Sequence, residues 1–165
     1  MPSDATNEAT RREWRQLGFF YDLDDASREW RVTGSRSGLL RLRDLLLAYV
    51  ADPRNRAESE HEHYGPYKYL EVMTWSEAGF DNHAIRGTLS DLERLARIIE
   101  ARVNKAAPGA TIRIREDFAA SSPYSLVLEV REDDFDPATA DSALPDGGAS
   151  YRACSGRRWA PPLNR

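Results

Sequence analysis

Apolar positions recur at three- and four-residue spacing in two places along the chain. Leu39, Leu42 and Leu46, together with Tyr49 or Val50, mark one face of a predicted helix. Leu89, Leu92, Leu95, Ala96, Ile99 and Val103 mark a second, with Glu93, Arg94, Arg97 and Glu100 on its far side. This is the period of an amphipathic helix laid on a core. Ser35 or Ser37 caps the first helix, and Thr88 caps the second with Asp91 in its first turn, where a side-chain oxygen and a negative charge satisfy free backbone N–H groups. Asp52-Pro53 ends the first helix and Pro108-Gly109 ends the second pattern, because a proline disfavours helical geometry in the residue before it.

Runs of aromatic and β-branched residues separated by turn formers predict three hairpins. They are 18–23 with 28–33 about Asp24 to Ser27, 67–75 with 83–87 about Ser76 to Asn82, and 111–116 with 124–131. Two of these lead into the helices, and the resulting units echo each other. Residues 30–51 set above 83–104 without gaps share seven of twenty-two positions, among them Gly34/Gly87, Ser37/Ser90, Leu39/Leu92 and Leu42/Leu95, where chance gives about one or two. The segment 66–72 also resembles 123–130, allowing one inserted residue.

The order reads ββα-ββα-ββ. It predicts an α+β fold in which a mainly antiparallel sheet carries two helices on one face, a ferredoxin-like plait with added edge strands and an internal ββα repeat. Residues 1–13 read as a flexible lead-in, 14–134 as one domain, and 135–165, rich in Asp, Pro, Gly, Ser and Ala, as a disordered tail. Trp14 is expected to fold onto the core. Trp30 and Trp75 are expected to pack in the sheet.

Composition narrows the functional classes. A chain of 165 residues, 41% hydrophobic and 30% charged, fits one soluble globular domain. No run approaches the roughly 20 apolar residues of a membrane span, and the first residues lack the apolar stretch of a secretion signal. The expected address is the cytoplasm, with no membrane partner. One cysteine, Cys154, excludes an intramolecular disulfide or a cysteine-built zinc site and reads as incidental. The net charge of −4 is uneven: residues 52–82 carry seven acidic groups against three basic ones. No basic stripe accompanies Trp14, Trp30, Trp75 and Trp159, so no nucleic-acid partner is expected.

Candidate chemistry concentrates in 58-ESEHEHYGPYKYLEV-72. On a strand, His61 and His63 present both imidazoles to one face, while Glu60 and Glu62 point away. Such a pair supplies two ligands to zinc or another divalent ion, and a site needs at least one more; His83, Glu116 and Asp117 are the candidates. The other reading of the segment is a rigid loop turned by Gly65-Pro66, whose tyrosines and carboxylates pack or offer a protein-binding surface. The candidate partner-binding residues are Glu60, His61, Glu62, His63, Tyr64, Tyr67 and Tyr69. Gly34 to Gly38 could hold an anion on backbone N–H groups, but Asp91 in the equivalent position favours simple helix capping. Asp24-Asp25 and Asp133-Asp134 read as solvated. Phosphate-loop, dinucleotide, serine-elbow and His-Glu-x-x-His signatures are absent, so no cofactor and no catalytic residue is implied.

The pattern strand-Gly-Ser/Thr-x-x-x-Leu-x-x-Leu, carried by Val32 to Leu42 and again by Ile85 to Leu95 with His61 to Tyr69 between, resembles small bacterial immunity proteins of polymorphic toxin systems. The resemblance covers roughly 17–131 and implies a cytoplasmic protein that binds and blocks a cognate toxin. The acidic 52–82 stretch fits that role, since opposite charge speeds encounter with a basic cleft. Two other readings stand beside it. One is a small metal-dependent hydrolase with His61 and His63 as ligands and Glu62 or another acid as base. The other is a ligand-sensing or assembly domain that forms a homodimer through an open sheet edge.

Overall fold

In the computed structural model, which describes residues 2–67 and 69–145, the chain runs α1 (Asp4–Leu17), β1 (Phe20–Asp24), β2 (Glu29–Ser35), α2 (Arg36–Ala51), β3 (His61–Tyr64), β4 (Leu70–Thr74), β5 (Gly79–Phe80), β6 (Ala84–Gly87), α3 (Leu89–Lys105), β7 (Thr111–Arg113), α4 (Arg115–Phe118) and β8 (Ser125–Arg131). Short 3-10 turns lie at Pro53–Arg56 and Pro137–Ala140. The fold is α+β.

The two aligned segments fold as strand, glycine, cap and helix. Ser35 Oγ accepts the Gly38 N–H at 3.1 Å and starts α2. Thr88 and Asp91 form a reciprocal capping box at the start of α3, each bond satisfying a donor that the first helical turn leaves free. Leu39, Leu42, Leu46 and Tyr49 of α2 and Leu92, Leu95, Ala96, Ile99 and Val103 of α3 are buried as the spacing predicts, and the two helices pack along each other. Val50 and Leu89 are only partly covered.

The strands do not form the single sheet of a ferredoxin-like plait. They divide into two four-stranded sheets, sheet A in the order β1-β2-β8-β7 and sheet B in the order β3-β4-β6-β5. Each has a parallel pair at its centre, β2 with β8 and β4 with β6, flanked by antiparallel partners. The hairpin 18–33 forms as expected; that of 111–131 forms with its first strand cut to Thr111–Arg113, because Arg115–Phe118, expected in part as strand, turn into α4. The one expected between 67–75 and 83–87 does not, because β4 and β6 run parallel, Val72 opposite Ile85. Ser76 to Asn82 is long enough to return the chain along the sheet, and it contributes β5 as the antiparallel partner of β6.

Periodicity fixes which side chains face the core but is blind to strand direction. The same blindness affects the second internal match. Thr74 lies opposite Gly87 and Val130 opposite Gly34, so Leu70 corresponds in register to Leu126, two residues from the Leu128 that the sequence alignment assigns it.

The expected lead-in is a helix with a partner. Ser3 caps α1, and Gly18 closes it with φ of 89°, its N–H bonded to the Trp14 carbonyl; this left-handed conformation suits glycine. Trp14 is 1% exposed. Its indole N–H donates to Asp141 Oδ2 at 2.8 Å, and its ring meets Phe20 and Tyr21 at 4.8 and 5.0 Å. Arg15 forks onto Asp136, and Arg11 donates to the Pro145 carbonyl at 2.6 Å. Residues 135–145, expected as the start of a disordered tail, thus hold α1 in place. A lone tryptophan in a polar stretch does not reveal such a partner more than 120 residues away. The expectation for the rest of the tail, with Cys154 and Trp159, concerns residues outside those described.

Candidate functional site

Behind β3, a buried polar network sets where the strand begins. The Tyr49 hydroxyl donates to the Glu60 carbonyl at 2.6 Å, Thr74 Oγ1 donates to the Asn55 carbonyl at 2.6 Å, and Asn55 Nδ2 donates to the Tyr49 carbonyl at 2.8 Å. Such groups are costly to bury unpaired, and here they pair with one another.

From that anchor β3 runs as an edge strand with, among the described residues, only β4 beside it in the sheet. His61 lies opposite Met73 and His63 opposite Glu71. Directly opposed residues share a face, so His61, His63, Glu71 and Met73 project together from the outer side of sheet B. Leu70, Val72 and Thr74 alternate into the core.

The turn that joins β3 to β4 is tied down from sheet A. Gly65 has φ of 89° and packs so closely on the Tyr21 ring that a Cβ would collide with its hydroxyl. That hydroxyl donates to the Tyr64 carbonyl at 2.6 Å and to the Tyr67 carbonyl at 3.2 Å. Tyr67 in turn donates to Asp141 and sets its ring edge-on to Trp14 at 6.0 Å. Burial pushes the Tyr21 hydroxyl up to about 12. It also raises Tyr64 and Tyr67, the latter further through Asp141. All three stay neutral, Tyr21 and Tyr67 as hydrogen-bond donors, and none is a base at neutral pH.

The structure divides the seven candidate residues. His61, His63 and Tyr69 come together on the outer face, with Tyr69 54% exposed and its ring stacked on His63 at 5.3 Å. Glu62 and Tyr64 alternate to the opposite side, Glu62 lying 3.9 Å from Arg54. The exposed Glu60 precedes the strand and takes part through its carbonyl. Tyr67 points to α1.

Glu71 joins the pair of histidines instead. His63 Nε2 and Glu71 Oε2 are 3.0 Å apart, the two imidazoles are 5.0 Å apart, and one ligand atom from each of His61, His63 and Glu71 falls within 4.8 Å of the others. The three third-ligand candidates lie outside this group. Glu116 and Asp117 sit on α4, where they pair with Arg115 and Arg102. His83 lines the same groove as His63, Tyr69 and Glu71, a space of about 340 Å³ closed on the other side by Leu23 and Trp30 of sheet A and Asp25 of the turn between them. The Trp30 indole N–H donates to the Asp81 carbonyl at 2.7 Å, which fixes the two sheets to each other at this groove. The signal for Glu71 was present in the sequence: a hairpin closed about Gly65 to Tyr69 sets residue 63 opposite 71.

Comparison with protein-family models, with curated proteins and with solved structures finds no match for this chain. Among the described residues, no helix is long and apolar enough to cross a membrane.

Proposed function

We propose that the chain is a non-enzymatic protein-binding module, an immunity protein that holds and neutralises a cognate toxin in the cytoplasm, with the outer face of sheet B as its docking surface. The observation that carries this reading is the exposed Tyr69, stacked on His63 at the end of a hairpin whose turn is pinned by Tyr21 and Asp141. An aromatic side chain offers large contact area with few torsions to freeze, and a turn held in place before binding lowers the ordering cost of association.

Charge points to the kind of partner. Residues 52–82 hold seven acidic groups against three basic ones, and Glu58, Glu60 and Glu71 lie on or beside β3 and β4. A partner with a basic surface is steered toward such a face. The same reading takes the chain as a duplicated unit, supported by the seven identities between 30–51 and 83–104.

Co-expression with a toxin encoded beside the gene tests the proposal. Growth should be restored and the two chains should co-purify. Absence of a complex, or growth that stays arrested, counts against an immunity role.

A further inference from the structure

We infer that His61, His63 and Glu71 form a binding site for Zn²⁺, built on the outer face of the β3–β4 hairpin with three protein ligands and a fourth position open to the groove. This inference stands whether or not a toxin is the partner.

The donor set is two imidazoles and a carboxylate, a combination that suits zinc and selects against calcium and magnesium, which favour all-oxygen sites. Zinc bonds of roughly 2.0–2.2 Å in a tetrahedron place ligand atoms about 3.4 Å apart. His63 Nε2 and Glu71 Oε2 already stand at 3.0 Å, and the widest separation within the trio is bounded at 4.8 Å. The residual closure falls on the torsions of two exposed imidazoles, with the backbone register already correct.

His61 supplies the second, independent observation. Its Nδ1 is 3.0 Å from the Ser59 carbonyl. A carbonyl only accepts, so Nδ1 carries the proton and Nε2 keeps its lone pair for a metal. A ligating histidine whose other ring N–H is held by a carbonyl or carboxylate is the usual arrangement at zinc sites, because that bond sets both tautomer and ring orientation. Ser59 accordingly belongs to the site as a positioning residue through its backbone, and it adopts φ of 73° in the turn before the strand.

An ordinary cross-strand pair accounts for His63 with Glu71 alone. The two-residue period of the strand sets His61 on the same face, 5.0 Å from His63, and its bond to the Ser59 carbonyl leaves the other ring nitrogen free to join them.

The test uses the full chain purified without a histidine tag. Titration with Co²⁺ followed by absorption, then displacement by Zn²⁺ and calorimetry, should show one equivalent bound. His61→Ala, His63→Ala and Glu71→Gln should each weaken zinc binding at least about tenfold, while His83→Ala binds as the unaltered protein does. Circular dichroism of the metal-free variants establishes that each is folded, and Glu71→Gln preserves shape where alanine does not. Failure of the unaltered protein to bind one equivalent overturns the inference. So does binding of unchanged strength in any of the three ligand variants, or an equal loss in His83→Ala.

Discussion

His63 and Glu71 face each other across the β3–β4 ladder, imidazole nitrogen to carboxylate oxygen at 3.0 Å, on a sheet face that the core does not use. A cross-strand pair in this half-exposed setting contributes less than about 1 kcal/mol. Urea unfolding of His63→Ala and Glu71→Ala should accordingly show losses below that figure. A loss of several kcal/mol would mean that the pair belongs to the structural core of the fold.

Tyr21 is the opposite case. Its hydroxyl holds two carbonyls of the neighbouring turn, so Tyr21→Phe should cost about 1–2 kcal/mol while the ring stays packed. The hydroxyl is held up to about 12 by burial, above an ordinary tyrosine near 10. Its neutral form is therefore the one the fold favours: the contribution is complete below about pH 10 and fades as pH rises toward 12. Stability profiles of the two proteins between pH 8 and 12 should converge.

Glu29 gives the mirror-image dependence. It is 8% exposed, takes hydrogen bonds from Arg113 and Arg31 at 2.5 and 3.1 Å, and is held below the usual carboxylate range, first by the Arg113 bond. A lowered value means stability present above the unfolded value near 4.3 and lost as pH falls through the folded one. Glu29→Gln should cost about 1–3 kcal/mol at neutral pH, and the gap should shrink steadily below pH 4 in acid titrations followed by fluorescence.

Trp14 tests the union of the two chain ends. Trp14→Ala should cost about 3–5 kcal/mol, and hydrogen exchange should show α1 and residues 137–140 losing protection together. Protection lost in α1 alone would mean that the contacts of Asp136 and Asp141 do not couple the two segments.

These elements also mark what the amino-acid order conveys. The α2 and α3 faces were legible because caps, stops and apolar period agree at Ser35, Thr88 and Asp52-Pro53. The partnership of His61 and His63 was legible because a strand has period two. Glu71 lies within the candidate segment 58–72 but was not grouped with the histidines. Reading one strand from 67 to 75 hid the hairpin that places it opposite His63. The parallel pairing of β4 with β6, and of β2 with β8, leaves no local trace, because direction depends on the path of the connecting chain. The union of α1 with residues 135–145 rests on Trp14 meeting Asp141 and Arg15 meeting Asp136, contacts that composition cannot record.

The central proposal is that the outer face of sheet B is a docking surface for a protein, and the affinity of face variants for the proposed toxin partner measures it most directly. In calorimetry of the purified pair, Tyr69→Ala should weaken the complex by about 2 kcal/mol or more, roughly thirtyfold in Kd. Arg97→Glu, on the exposed side of α3, should change it less than about twofold. Unchanged affinity in Tyr69→Ala, with the loss falling on Arg97→Glu, would contradict the account.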